Sequence, residues 1–315
     1  MSPEPGRWTD LDRPPLAVAS LRAALLAPDG PLARLEVLPE VGSTNTELVR
    51  RAVADPDGWP APALLTTDSQ VAGKGRLGRT WEAPPRSGVA LSLLLRPTAP
   101  PSTWSWLPLL AGVAVVGVLR DLAGLPAALK WPNDVLVEGR KACGLLVEVL
   151  PPTAVPTPGP TTGPTTGPAP AGVVVGVGVN TTTRRDELDA GGLDGATSLR
   201  LEGAATTDRD VLVRALVRAL LGEVARFDGA GGSAQRSGLA ARAAEVCSTL
   251  GREVSVALPG GGVLRGTAEG LDADGRLLVR PAPGAGPVRE PGRTDGAGGA
   301  DGVVAVGAGD VVHVR

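Results

Sequence analysis

Two cysteines, Cys143 and Cys247, in a chain of 315 residues give no disulfide framework and no paired thiolate spacing for a structural metal. That usage fits a reducing compartment, so a cytoplasmic protein is expected. Cations are not in surplus either. The formal net charge is -2, which excludes a general nucleic-acid binder, because nothing in excess is available to neutralise a phosphate backbone. Any anion has to be held by a few local groups. Long apolar runs are also missing: the longest, Trp106 to Leu119, contains Pro108, is closed by Arg120 and Asp121, and falls short of the roughly 18 residues of a membrane span. A buried helix and no membrane partner are expected there. The opening MSPEPGRWTDLDRPP lacks the basic and apolar regions of a signal peptide and reads as a disordered lead.

Lysine and asparagine are scarce as well, with only Lys74, Lys130 and Lys141 among 31 basic residues, and only Asn45, Asn133 and Asn180. Where an Ala-, Arg-, Gly- and Pro-rich composition has displaced these types, the survivors mark positions where Arg or Asp would not serve. With 43% hydrophobic and 20% charged residues, the chain can bury one large core and a small second one. We therefore expect a lead over 1–34, a main domain over 35–249, and a small domain over 250–315.

Helical spacing of Leu16, Leu21, Leu25 and Leu26 predicts a short helix, followed by a strand at Leu35 to Leu38. In VGSTNTELVRRAVAD, Thr44 with Glu47 three residues on reads as a capping box, placing Ser43, Thr44 and Asn45 at a helix N-terminus. Strands are predicted at Ala63 to Thr67, Gly88 to Leu95, Val135 to Glu138, Ala142 to Leu150 and Gly172 to Val179. Helices are predicted at Thr103 to Leu122, Asp208 to Phe227 and Ala234 to Leu250, which makes the fold α/β or α+β. The tract 151–171, rich in Pro, Thr and Gly and without charge, reads as a flexible surface insert, and 281–302 as a second. Around the latter, five short strands with tight turns have the pattern of a small barrel.

Three segments carry chemistry. In DSQVAGKGRLGRTWE, Gly73, Gly75 and Gly78 match the letters of a dinucleotide fingerprint. The context fails, since TWEAPPRSG cannot open a helix, and no Walker ending is present. Lys74, Arg76 and Arg79 instead place three cations on a glycine loop suited to closing over an anion, although a solvated basic turn has the same pattern. In LKWPNDVLVEGRKACGLLVE, Pro132 ends the strand carrying Lys130, Asn133 and Asp134 project from the turn, and Lys141 begins the returning strand. Strict alternation would send Lys141, Cys143 and Leu145 to one face and Gly144 to the other. In GVVVGVGVN, Gly176 and Gly178 leave room beside the backbone before Asn180, for a ligand or for a closely packed helix.

In this order the segments resemble the biotin protein ligase family, in the form without an N-terminal DNA-binding domain. Its G-R-G-R-x-G-R-x-W stands here as GKGRLGRTW, its K-W-P-N-D as KWPND, its R-K-x-x-G-I-L-V-E as RKACGLLVE, and its G-x-G-x-N as GVGVN. Lys74 replaces the family's usual arginine, keeping the charge and losing the bidentate fork. The resemblance implies a mixed central sheet with flanking helices, of the class II aminoacyl-tRNA synthetase and biotin synthetase type, plus a small C-terminal SH3-like β-barrel. It implies an ATP-dependent ligase that converts biotin with MgATP to biotinyl-5'-adenylate and passes biotin to a lysine of the biotin carboxyl carrier domain of an acyl-CoA carboxylase, working as a monomer or weak homodimer.

By the same resemblance Ser43, Thr44, Asn45, Gln70, Lys74, Gly75, Arg76, Lys141 and Gly144 bind biotin, and Arg76, Arg79, Trp81, Asn133, Lys141 and Asn180 bind ATP or the adenylate. Arg76 and Lys141 are the expected catalytic pair. Trp81 would shield or stack, or be core. Asp134 is a candidate base by position, or a turn carboxylate paired with Lys130, and no protein metal cage is expected, since Mg2+ rides on ATP phosphates. The alternatives are a lipoate or octanoate ligase, which the polar Ser43-Thr44-Asn45 cap disfavours, and a non-catalytic biotin-sensing regulator, which would need a DNA-reading element.

Overall fold

The computed structural model describes residues 12–151, 172–258, 262–283, 302–307 and 309–314. The first eleven residues of the expected lead, and all but the edges of the inserts expected at 151–171 and 281–302, lie outside the described residues. In chain order the elements are α1 (Val18–Leu25), β1 (Arg34–Leu38), α2 (Thr44–Ala54), β2 (Ala63–Thr67), the two-residue strands β3 (Gly73–Lys74) and β4 (Thr80–Trp81), and β5 (Gly88–Leu95). Then come α3 (Leu107–Asp121), β6 (Ala127–Lys130), β7 (Asp134–Val137), β8 (Arg140–Val149), β9 (Val173–Asn180), α4 (Arg185–Ala190), α5 (Arg209–Gly229) and α6 (Leu239–Val246). The chain closes with β10 (Glu253–Ala257), β11 (Val263–Leu271), β12 (Leu277–Pro281), β13 (Val304–Val306) and β14 (Asp310–His313).

Seven strands form the central sheet in the order β1-β2-β5-β9-β8-β7-β6, with β1 and β2 parallel and every other neighbour antiparallel. One face is packed by α1, α3, α5 and α6, where Leu91, Leu93, Val115, Leu119, Leu212 and Leu216 are fully buried. On the other face α2 covers only part of the sheet, through Leu48 and Ala52 against Leu65, Leu94 and Val174. This asymmetry leaves the rest of that face to loops and to a cavity. A turn of 3-10 helix over Pro101–Trp106 leads directly into α3, so the helical stretch is longer than the apolar run suggested. By length and composition Pro101–Asp121 could cross a membrane, but 72% of its most apolar window is buried inside the protein.

The last five strands form an antiparallel sheet ordered β13-β12-β11-β10-β14. It docks on the main sheet through two indoles, Trp106 Nε1 donating to the Ala273 carbonyl at 2.8 Å and Trp131 Nε1 to the Gly275 carbonyl at 3.1 Å. A Cβ at Gly275 would stand 3.1 Å from Leu109 and 3.3 Å from Trp106, and its φ of 77° also favours glycine.

The segment before α1 is pinned by Arg13, whose guanidinium donates to both carboxylate oxygens of Glu187 at 2.9 and 2.6 Å and to the Thr182 carbonyl at 2.9 Å. Those hydrogen bonds, against the opposing effect of burial, hold the Glu187 carboxyl at about 2 instead of 4.5. The pair's stabilisation is thus complete above about pH 4.5 and is lost as pH falls through about 2. Arg13→Ala is expected to be less stable than the parent at neutral pH, with the gap closing toward pH 2; a pH-independent gap in urea unfolding would assign the loss to packing instead.

Candidate active site

The uncovered face of the central sheet is paved with glycine. Gly144 on β8 and Gly178 on β9 are register partners, and the Trp81 indole lies on both, so that a Cβ added at either would come within 3.0 and 2.7 Å of the ring. Gly176 lies under α2, where a Cβ would meet Asn45 Oδ1 at 2.3 Å. The closely packed helix therefore accounts for Gly176, while at Gly178 the room beside the backbone is taken by an indole.

Ser43 is the N-cap of α2, with extended backbone and its side chain accepting from the Thr46 amide at 3.4 Å. The capping box expected between Thr44 and Glu47 is not formed, because Thr44 is already helical and its amide donates to Gln70 Oε1 at 2.9 Å. Glu47 pairs with Arg50 and Arg51 instead, and hydrogen bonds led by Arg50 lower its carboxyl to about 2. Ser43, Thr44 and Asn45 are buried, and behind them the hydroxyl of Ser92 contacts both Thr44 and Asn45.

The glycine loop is a small hairpin, β3 pairing with β4 around a turn at Arg76–Gly78 in which Leu77 and Gly78 take left-handed φ of 57° and 75°. No long helix follows, in keeping with rejection of a dinucleotide fingerprint. The loop reaches the turn after β6, where Arg76 Nη1 donates to Asn133 Oδ1 at 3.2 Å. Asn133 is in turn tied to β8, its Nδ2 donating to the Leu145 carbonyl at 2.8 Å and its carbonyl accepting from the Leu145 amide at 2.9 Å.

Lys141 departs from strict alternation. The β7–β8 register shifts between the pairs Val135–Cys143 and Leu136–Lys141, which leaves Ala142 as the extra residue of a bulge. Lys141 thereby joins Gly144, its Cε 3.4 Å from a Cβ built there, while Cys143 and Leu145 enter the core. Burial raises the Cys143 thiol far above its usual range, so it is an inert packing group. Lys141 Nζ is 2.7 Å from Asp134 Oδ1 and 5.7 Å from the Trp81 ring centre. Asp134 thus pairs with Lys141 rather than Lys130.

These parts enclose one open cavity of about 850 Å³, mouth included, on whose wall lie Ser43, Thr44, Asn45, Gln70, Lys74, Gly75, Arg76, Arg79, Trp81, Asn133, Lys141 and Gly144. Asn180 is not among them; it is buried at the end of β9, its Nδ2 donating to the Thr197 carbonyl at 3.0 Å. Lys130 lines the cavity too, and so does Val311 of the C-terminal sheet. Lys130 is legible in the sequence as a member of the lysine-scarce set, and Ser92 as a lone hydroxyl inside LSLLL, but neither falls among the residues that the family resemblance assigns to the site. Lys74, Arg76, Arg79, Lys130 and Lys141 share the wall with a single acid, Asp134, among the described residues. Such a wall combines an excess of cations, suited to an anion, with hydroxyl and amide groups. No cluster of three or more His, Cys, Asp or Glu able to hold a metal occurs among the described residues.

Comparison with known proteins agrees in both halves of the chain. Residues 39–157 match the biotin/lipoate A/B protein ligase family and residues 249–292 the biotin protein ligase C-terminal domain. The biotin--[acetyl-CoA-carboxylase] ligase of Mycobacterium tuberculosis is 36% identical over 98% of this chain and 100% of its own length. The bifunctional ligase/repressor BirA of Escherichia coli is 30% identical over 87% of this chain and 77% of its own. In fold, the Aquifex aeolicus biotin protein ligase in complex with biotin and ATP superposes with a TM-score of 0.63 at 24% identity, over 90% of this chain and 99% of that one. With both family regions present in order and a relative matched from end to end, the chain belongs to the biotin protein ligase family.

Proposed function

We propose that this protein joins biotin to ATP as biotinyl-5'-adenylate, with release of pyrophosphate, and then transfers biotin to a lysine of the carrier domain of an acyl-CoA carboxylase. The observation that carries the reading is a single cavity whose wall brings the hydroxyl and amide groups at the tip of α2 together with five cations and one carboxylate. A carboxylate attacking an α-phosphate brings two anions together, so positioned cations and exclusion of water are the catalytic requirements. Charge-assisted contacts contribute about 1.5 to 3 kcal/mol each, enough for two or three to offset much of that repulsion.

In this reading Ser43, Thr44, Asn45 and Gln70 hold the ureido ring, and Gly144 with Gly178 seats the Trp81 indole against the sheet beside the bound acid. Lys74, Gly75 and Arg76 close over it. Arg76 and Lys141 meet the biotin carboxylate and α-phosphate, with Asp134 holding Lys141 in place, while Arg79, Trp81, Lys130 and Asn133 face the nucleotide. Asn180 acts from behind the wall, through its bond to Thr197. Mg2+ is carried by the ATP phosphates. We divide the chain near Leu250 into a catalytic domain and an appended sheet domain, and assign it to the cytoplasm as a monomer or weak homodimer without a nucleic-acid or membrane partner.

The test is exchange of labelled pyrophosphate into ATP with biotin, lipoate or octanoate as the acid, followed by transfer to an isolated carrier domain. Exchange with biotin alone and labelling of the carrier lysine are expected. Exchange with octanoate or lipoate in place of biotin would reassign the acid, and no exchange with any would remove the activity.

A further inference from the structure

Ser92 stands in the middle of β5 between two buried leucines and is itself fully buried. Its Oγ is 2.5 Å from Asn45 Oδ1 and 2.8 Å from Thr44 Oγ1. Acceptor counting and contact length order the protons on these contacts. Asn45 Nδ2 donates to two oxygens, the Leu146 carbonyl at 3.2 Å and Glu148 Oε2 at 2.8 Å. Both its N–H bonds are thereby committed, and Oδ1 has to face Ser92. An amide oxygen brings no proton, so Ser92 donates on the 2.5 Å contact. Its oxygen can then only accept from Thr44, whose one hydroxyl proton has two acceptors in reach, Ser92 Oγ at 2.8 Å and Gln70 Oε1 at 3.1 Å, and the shorter contact takes it. The 3.1 Å approach of Thr44 Oγ1 to Gln70 Oε1 carries no proton in this arrangement.

The consequence lies on the cavity side. Thr44 Oγ1 offers lone pairs and no proton, while Gln70, whose Oε1 is held by the Thr44 amide, keeps two Nε2 hydrogens with no partner among the described residues. We propose that Ser92 is a specificity-determining positioning residue: the relay from Glu148 through Asn45 and Ser92 sets Thr44 as an acceptor beside Gln70 as a donor, matched to an acid whose distal ring carries N–H next to a carbonyl. The inference rests on the biotin-activating reading above. A site of this polarity rejects acids with plain alkyl or dithiolane ends, because they would leave its buried polar groups unpaired.

Ser92→Ala releases the Thr44 proton and strips Asn45 Oδ1 of its donor; Ser92→Cys keeps the shape with a weak donor. The experiment is biotin and desthiobiotin binding by calorimetry, and pyrophosphate exchange giving KM for biotin and for ATP separately, with octanoate and lipoate as competitors. For Ser92→Ala we expect biotin and desthiobiotin to weaken together by ~10- to ~100-fold. The ATP KM and kcat should stay within about twofold, the preference for biotin over octanoate should narrow by the same factor as the biotin loss, and Ser92→Cys should fall between variant and parent. Equal losses for biotin and ATP, or an unchanged biotin-to-octanoate ratio in either variant, would make Ser92 a packing residue and overturn the proposal. A parent that binds biotin without exchanging label would count against the activity alone, since the relay is then judged on binding; a parent that binds no biotin would overturn both.

Discussion

Lys141→Ala is expected to slow single-turnover formation of the adenylate by ~100- to ~1,000-fold while changing the biotin dissociation constant far less. The reason is the timing of charge. In the proposed reading the ground-state biotin carboxylate also has Arg76 beside the same cavity wall, whereas in the transition state negative charge accumulates between carboxylate and phosphate, where the Lys141 ammonium would meet it. Loss of Lys141 also leaves Asp134, its partner at 2.7 Å, as an uncompensated carboxylate among anionic substrates. Combining Lys141→Ala with Asp134→Asn should therefore recover part of the lost rate, a non-additivity that a purely structural lysine would not produce. Rapid-quench measurement of adenylate, beside calorimetry with biotin, separates the two effects. Equal losses in binding and rate would remove Lys141 from the chemical step.

Arg76→Gly is expected to release the bound adenylate ~10- to ~100-fold faster, with a smaller effect on its formation. Arg76 ties the hairpin of β3 and β4 to Asn133, and through Asn133 to β8, so in the proposed reading its loss removes both a cation facing the phosphate and the latch of the loop. Glycine adds backbone freedom at a turn that already holds Leu77 and Gly78 at positive φ. Escaped adenylate would acylate lysines of bystander proteins, so biotin label on added serum albumin, together with a filter-binding chase of labelled adenylate, reports the release directly. Retention equal to that of the parent would show that Arg76 is not the latch.

Much of the framework was legible because local pattern and tertiary fate agree. The strands read at Ala63 to Thr67 and Gly88 to Leu95 have those same limits in the structure, since each is an apolar run closed by turn residues. Lys74, Arg76, Asn133 and Lys141 were found through scarcity and motif, and they line one cavity. The errors are also local in origin. The bulge at Ala142 is a property of the β7–β8 pair and cannot be read from β8 alone, so alternation put Lys141 on the wrong face. The cap of α2 moved to Ser43 because Gln70, 26 residues away from Thr44, occupies the Thr44 amide. The family resemblance puts Asn180 on the nucleotide side, whereas a distant carbonyl, that of Thr197, takes its side chain inward.

By itself the sequence determined which groups are available and in what order: the basic glycine loop, the lysine and asparagine turn, the glycine-rich strand, and the shortage of cysteine, histidine and excess charge that rules out other chemistries. Only the tertiary structure decided which of them face one another. Register partnership of Gly144 with Gly178 makes the bed for Trp81, the bulge turns Lys141 toward Asp134, and the burial of Ser92 sets the proton order at the tip of α2. The physical reason is that hydrogen-bond direction and charge pairing depend on groups far apart in the chain and within about 3 Å in space, a relation that propensity and spacing along the backbone do not contain.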